Sequence, residues 1–276
     1  GMSSGLASRL KFGHSYTVNG QPVFTNFIVH PGDEICVRLD EPEPDYPAED
    51  GPLTILYEDE ALIALEKPPG LLMHPSFSRN EGTLANYLAG YYKRTGQRCA
   101  VHPVSRLDRD TFGVVLLAKN AYVHELMRRQ HAGGGMEKTY HALTCGIPDP
   151  PEGEIDAPIA RAPGDSLLRE IRPDGKPASS RYRVLEARAG CAKLELSPLT
   201  GRTHQLRLHC AYLGCPILGD PQYGTPGSLT LSARYGIAGQ QLCAVRLRFL
   251  HPMTKKTVEI RATGDVSLDF LERTVV

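Results

Sequence analysis

Five stretches of strand length dominate the chain: "GVVLLAKN" at 113–120, "TYHALTCGI" at 139–147, "SSRYRVLEA" at 179–187, "CAKLELSPL" at 191–199 and "LCAVRLRFLHP" at 242–252. Strands bury their apolar faces against other layers, and few helical patterns separate these five. The arrangement predicts an α+β fold on a large, mostly antiparallel sheet. "LTILYEDEALIALEKPPG" at 53–70 adds a hairpin tipped by Glu58, Asp59 and Glu60, and "TLANYLAGYYKRTG" at 83–96 reads as a helix closed by Gly96. At 276 residues there is room for one large domain, 53–276, and a small appendage. The acidic, Pro-rich run "EPEPDYPAEDGP" at 41–52 reads as a linker between that domain and a β-rich module at 2–40, whose turn signals are Asn19-Gly20 and Pro31-Gly32-Asp33.

Formal net charge is zero, with 31 Lys and Arg against 31 Asp and Glu, which by itself argues against a polyanionic partner. The distribution points the other way. Between Asp33 and Glu66 twelve acids face one base, whereas Lys93–Lys138 carries nine bases against four acids and Arg161–Arg207 ten against five. Such segregation can build a basic face on a neutral protein, the footprint expected for a phosphate backbone. In the N-terminal part the cations are few: Arg9, Lys11 and Arg38. No apolar run reaches the roughly 18 residues of a membrane span, and the first residues lack the apolar core of a signal peptide, so a soluble cytoplasmic protein without membrane contact is expected. Seven cysteines without a CxxC pair predict buried, reduced thiols rather than disulfides or a zinc ribbon.

In "SRLDRDTFGVVLLAKN", at 105–120, Arg106, Asp108, Arg109 and Asp110 stand where the chain enters a core. In extended chain Arg106, Asp108 and Asp110 would share one face and Leu107 and Arg109 the other. Two carboxyl groups at that spacing lie about 6 to 7 Å apart, between the separations of retaining and inverting glycosidases, which keeps a glycoside-cleaving enzyme as a rival reading.

The second polar concentration is "TGRTHQLRLHCAYLGCPILGD", at 200–220. A helix opened by Thr200 and Gly201 and closed by Gly214 would turn Leu206, His209, Cys210 and Leu213 to the core. Its first turn would offer backbone N–H groups, Arg202, Thr203 and His204 to an anion, with Thr203 and Arg207 on one face. If Arg207 reaches Asp108, the carboxylate stays ionised at neutral pH and suits nucleophilic attack. Tyr140, entering a strand after the "HAGGG" loop, can stack on a base or handle a proton. GxSxG, HExxH, GxGxxG, Walker and zinc-deaminase patterns are missing, so chemistry free of metal and cofactor is expected.

Taken together, "LEKPPGLLMHP", "RLDRDTFGVVLLAKN", "EKTYHAL", "GEIDAPIAR", "DGKPASSRYRVLE", "LSPLTGRTHQLRLHCAYLGCPILGD" and "FLHPMT" resemble the RluA family of RNA pseudouridine synthases, from about Leu53 to Ala262. The resemblance implies a mixed sheet with the active-site cleft across its middle and isomerisation of uridine to pseudouridine in RNA; ribosomal RNA is expected first and transfer RNA second, and a monomer is expected. It implies that Asp108 is the nucleophile, Arg207 its salt-bridge partner, Tyr140 the ring beside the target base and Arg106 the side chain that fills the space of the flipped nucleotide. Leu206 and Val115, by their place in the motifs, would line the pocket; Lys138, Arg202, Thr203 and His204 would contact substrate. Three positions depart from the family pattern: Ser105 stands for His, Phe112 for a small residue and Cys243 for His. "YTVNGQPV" and "VHPGDEICVRL" resemble the later part of the small RNA-binding module of the ribosomal protein S-four type. An RNA-binding or folding-helper protein without catalysis is the other reading; it would survive loss of Asp108.

Overall fold

Asn19 and Gly20 both adopt positive φ, 51° and 79°, as a two-residue hairpin loop requires, and they join β1 (Tyr16–Val18) to β2 (Gln21–Pro22). β3 (Ile35–Val37) pairs with the other edge of β1, tied by Asn19 Nδ2 donating to Asp33 Oδ1 at 2.8 Å. The computed structural model describes residues 8, 10, 16–39, 41, 44, 46–76, 79–164 and 168–272; Arg9 and Lys11 lie outside them. The acidic stretch that follows runs along the large domain and is fastened to it. Glu41 accepts from the Ala121 amide at 2.6 Å, Asn86 Nδ2 donates to Pro47 O at 2.9 Å, and the Glu49 amide donates to Asn86 O at 3.0 Å.

β4 (Thr54–Glu58) and β5 (Leu62–Lys67) form the expected hairpin, its tip closed by Asp59 accepting from the Ala61 and Leu62 amides. Helix α1 (Leu84–Arg94) starts at the N-cap Thr83, whose side chain accepts from the Asn86 amide, and ends with Lys93 and Arg94 on the negative end of its dipole. After β6 (His102–Pro103) comes β7 (Phe112–Ala118), then helix α2 (Ala121–Ala132) and β8 (Met136–Cys145). β9 (Glu152–Asp156) leads to a small hairpin of β10 (Ile159–Arg161) and β11 (Arg169–Ile171). Strands β12 (Ser179–Arg188) and β13 (Cys191–Pro198) precede helices α3 (Gln205–Tyr212) and α4 (Pro226–Arg234), and β14 (Leu242–Leu250) and β15 (Thr257–Arg261) close the sheet.

Ten strands form one mixed sheet, ordered β4-β5-β7-β14-β8-β13-β12-β9, with β15 on β14 and β6 on β7. Period-two alternation sorts its apolar residues into two layers. Ile63, Leu65, Val115 and Leu117 face α1 through Leu84, Leu88 and Tyr92, while Leu62, Ala64, Val114 and Leu116 face α2 through Val123 and Met127. β14 inserts between β7, to which it runs parallel, and β8, to which it runs antiparallel. The parallel contact is short, Cys243 opposite Phe112 and Ala244 opposite Gly113. Gly113 has φ 103°, and a Cβ there would meet Ala244 O at 2.4 Å, so only glycine fits. Two of the positions expected to depart from the family pattern thus face one another, the large Phe112 beside the small Cys243.

Three expectations change. Residues 104–111 are not a strand: pairing starts at Phe112, and although Arg106 and Asp108 still face one cavity and Leu107 is buried, Arg109 turns out to bind Asp110 at 3.0 Å and Asp110 does not join them. The second helix signal begins at Gln205, because His204 takes the left-handed conformation at φ 59°, which an α-helix cannot continue. Thr203 therefore shares no helix face with Arg207. Of the seven thiols, all free, four are buried, Cys99 and Cys145 are half-buried and Cys36 is exposed. Among the described residues no helix is long and apolar enough to cross a membrane.

Candidate active site

The loop before β7 is pinned from below. Lys67, at the end of β5 and fully buried, donates to Pro68 O and Leu71 O at 2.8 Å and to Arg109 O at 2.7 Å, so its three ammonium protons each have an acceptor. Burial brings its pKa down to about 8, against the opposing pull of Asp110 and Asp108. Ser105 accepts from the Leu116 amide at 3.2 Å, and Gln240 donates to Thr111. Between these anchors Asp108 turns its carboxylate into a cavity of about 310 Å³ at the middle of the sheet.

From the opposite wall comes Arg207, on α3 and buried. Its Nη1 approaches Asp108 Oδ2 at 3.3 Å. Stronger contacts hold it from behind: Nε and Nη2 reach Asp220 at 2.7 and 2.8 Å, Nη2 also reaches Gln222 at 2.7 Å, and its Cζ stands 4.9 Å from the centre of the Tyr223 ring. Burial pushes the Asp220 carboxyl up, but Arg207 and the Gln222 and Tyr223 amides together bring it below its ordinary value. The sequence expectation of an Asp108–Arg207 pair matches this geometry; Asp220, Gln222, Tyr223 and Lys67 were missed. Asp220 ended a motif already singled out, and Lys67 sat in "LEKPPG", but nothing local marks either as a partner of a distant loop.

Tyr140, on β8, forms part of the cavity wall and is buried; burial, with the Asp108 charge, pushes its hydroxyl well above the ordinary tyrosine value. It is a flat, neutral wall at physiological pH and a poor base. Lys138, two residues earlier and on the same strand face, also lines the cavity, with its pKa brought down to about 8 by burial. Its Nζ lies 3.3 Å from His131 Nε2, another lining residue, whose buried Nδ1 has no hydrogen-bond partner. Leu206 and Leu107 supply apolar surface, and Arg106 stands exposed at the entrance. Arg202 and Thr203 reach only the exposed rim: Arg202 donates through Nε to Pro177 O at 2.9 Å, and its amide is taken by Gln205, which removes that N–H from the expected anion cradle. His204 sits deeper, with Nε2 3.9 Å from Asp108 Oδ2. Val115 lines no part of the cavity; β7 alternation puts it in the core layer under Leu107. Asp110, engaged by Arg109, does not line the cavity either, which removes the paired-carboxylate geometry of a glycosidase. Among the described residues no group of three His, Cys, Asp or Glu side chains could hold a metal ion.

A sequence profile described as RNA pseudouridylate synthase matches residues 61–212. Across 95% of this chain and 91% of the relative, 36% of residues are identical to the uncharacterized RNA pseudouridine synthase YjbO of Bacillus subtilis. This chain belongs to the RluA family of RNA pseudouridine synthases. The synthase is also 34% identical, over 84% of its length and 73% of the relative's, to the ribosomal large subunit pseudouridine synthase D of Vibrio parahaemolyticus. Its fold is similar to that of the human RNA pseudouridylate synthase domain containing 1, with a TM-score of 0.64, 28% identity and coverage of 82% of this chain and 88% of that one. The large mixed sheet of the synthase and the cavity across its middle agree with the fold its family implies.

Proposed function

We propose that the synthase acts through Asp108 as nucleophile, on uridines of structured RNA, ribosomal RNA before transfer RNA. One observation carries this reading: Asp108 is the carboxylate that faces the cavity, and the buried Arg207 stands 3.3 Å away. The isomerisation cleaves the bond between ribose C1′ and uracil N1 and makes one between C1′ and C5; a proton leaves C5 and N1 gains one, so no atom is lost overall. A fixed carboxylate suits the step in which the base detaches, and the neutral Tyr140 ring gives the freed base a wall to lie against. Because the base must leave its stack, Arg106 at the entrance is suited to fill the gap, and Lys138 to take a backbone or base oxygen. The ribosomal preference is supported by relatives named ribosomal large subunit pseudouridine synthases C and D.

Asp108→Asn tests the assignment, since it removes charge and preserves shape. Pseudouridine formation, mapped on ribosomal and transfer RNA with wild type and variant, should vanish while RNA binding and folding persist. Turnover within about tenfold of wild type, roughly 1.4 kcal/mol in barrier, would remove Asp108 from the nucleophile's role.

A further inference from the structure

Tyr223 touches both side chains that face Asp108. Its ring backs the Arg207 guanidinium, and its hydroxyl lies 2.7 Å from His204 Nδ1. The same oxygen accepts the Arg169 main-chain N–H at 3.0 Å. An amide can only donate, so the single phenolic proton is not used there and goes to His204 Nδ1. The reverse polarity would ask the oxygen to take two N–H donors and to send its own proton elsewhere, and the guanidinium against its ring offers no acceptor. An imidazole that accepts at Nδ1 carries its proton at Nε2, the nitrogen 3.9 Å from Asp108 Oδ2. His204 has a left-handed backbone, φ 59°, just before α3, and its ring faces Asp108. The charged groups that bear on the ring are Asp108 and Asp220, which favour its protonation, and Arg207 and Arg169, which oppose it; burial, the largest influence, sides with the two arginines and holds His204 below its ordinary value, as a neutral imidazole.

We propose that Tyr223 is a positioning residue that fixes His204 as the Nε2–H tautomer, so that this N–H points into the cavity beside Asp108. At 3.9 Å the N–H is not consumed by the carboxylate. It is placed to donate to an oxygen of the nucleotide lying against Asp108, while Arg207 keeps the carboxylate in place. The proposal rests on the reading of Asp108 as the reacting group.

The test starts from the full-length protein labelled with ¹⁵N at histidine, the His204 signals being assigned by their loss in His204→Gln. The wild type should show a protonated Nε2 and a bare Nδ1 near neutral pH. Tyr223→Phe keeps the ring against Arg207 and removes the hydroxyl; it should shift His204 toward a tautomer mixture. Because a donor at Nδ1 favours the neutral ring, its loss should also raise the pH at which His204 titrates. Turnover should fall roughly tenfold to a hundredfold, the size of effect typical of losing a group that only orients a functional histidine and less than the loss of about a hundredfold or more when a preorganised donor is removed outright, with RNA affinity within about twofold. Gln at 204 carries its own N–H at the position of Nε2, so Tyr223→Phe added to His204→Gln should cost little further. A wild-type spectrum with the proton on Nδ1 would overturn the proposal, and that measurement needs no variant to fold. So would an unchanged tautomer and turnover in Tyr223→Phe. If Asp108→Asn stays active while the tautomer is as described, the nucleophile assignment fails and the His204–Tyr223 geometry stands.

Discussion

Asp108 and Asp220 reach one guanidinium from opposite sides, and their surroundings differ in kind. Asp220 is 1% exposed at its side chain, takes two short bonds from Arg207 and two more from the Gln222 and Tyr223 amides. Asp108 is 28% exposed, with a single 3.3 Å contact to Arg207 and open cavity in front of it. A buried carboxylate committed to four hydrogen bonds has little left for a substrate; one held by a single bond keeps its orientation and retains lone pairs that face the cavity. The arginine is therefore built into the fold by Asp220 and presented to Asp108. Oriented first, it loses little on meeting the substrate.

This contrast can be broken at the Asp220 end. Asp220→Asn takes from the buried Arg207 charge its closest and fully buried counter-ion and leaves only the partly exposed Asp108, and losing one partner of a buried pair costs about 3 to 5 kcal/mol. Thermal unfolding should show it as a drop of the order of 2 to 4 °C per kcal/mol, whereas Asp108→Asn should leave the midpoint nearly unchanged. Equal midpoints for the two variants would mean that the two carboxylates share the structural load.

A smaller effect is expected at Lys67, which holds the Asp108 loop as Asp220 holds Arg207. Lys67→Met strands three carbonyls, partly offset by removing a buried charge, for a net loss of about 2 kcal/mol. Turnover should fall with the midpoint, because Arg109 O and the loop around Asp108 are released; a loss of stability with full turnover would show that the loop is held without Lys67. The smallest effect concerns the cations. Arg207 stays charged at any working pH, but Lys138, with a pKa near 8, is an ammonium below about pH 8 and loses its charge above it. RNA affinity should weaken as pH rises from 7 to 9, and the salt slope should shrink by about 0.7, one single-strand phosphate contact. Lys138→Arg should flatten that dependence; a pH-independent wild type would show that Lys138 carries no RNA contact.

How far the chain discloses this site depends on the distance over which each residue is determined. The hairpin around Asp59, the cap at Thr83 and the strand cores follow from neighbours a few residues apart, and they form where the pattern places them. Asp108 and Arg207 stand out because charge sits where apolar sequence is expected. Asp220 and Lys67 carry no such local contrast: their partners are 13 and 42 residues away, and only folding joins them. Val115 was misplaced because motif proximity says nothing about which layer a strand residue enters. The helix start was placed too early because a left-handed histidine leaves no trace in polarity or periodicity.

The insertion of β14 between β7 and β8 also dictates when the site can exist. Asp108, Tyr140 and Arg207 are all synthesised before Leu242, yet the two strands that bracket the cavity have no shared neighbour until β14 enters between them. A nascent chain stopped short of that strand holds Asp108, Tyr140 and Arg207 but leaves the inner edge of β8 and the start of β7 unpaired, since β6 covers only the far end of β7, and these edges are open to association with other chains. Closing the sheet spans more than 120 residues of intervening sequence, a non-local step that comes late because its loop entropy must be met before its contacts form. Assembly of the reactive centre is thereby tied to completion of the C-terminal part of the sheet, and an incomplete chain presents edges instead of an active cleft.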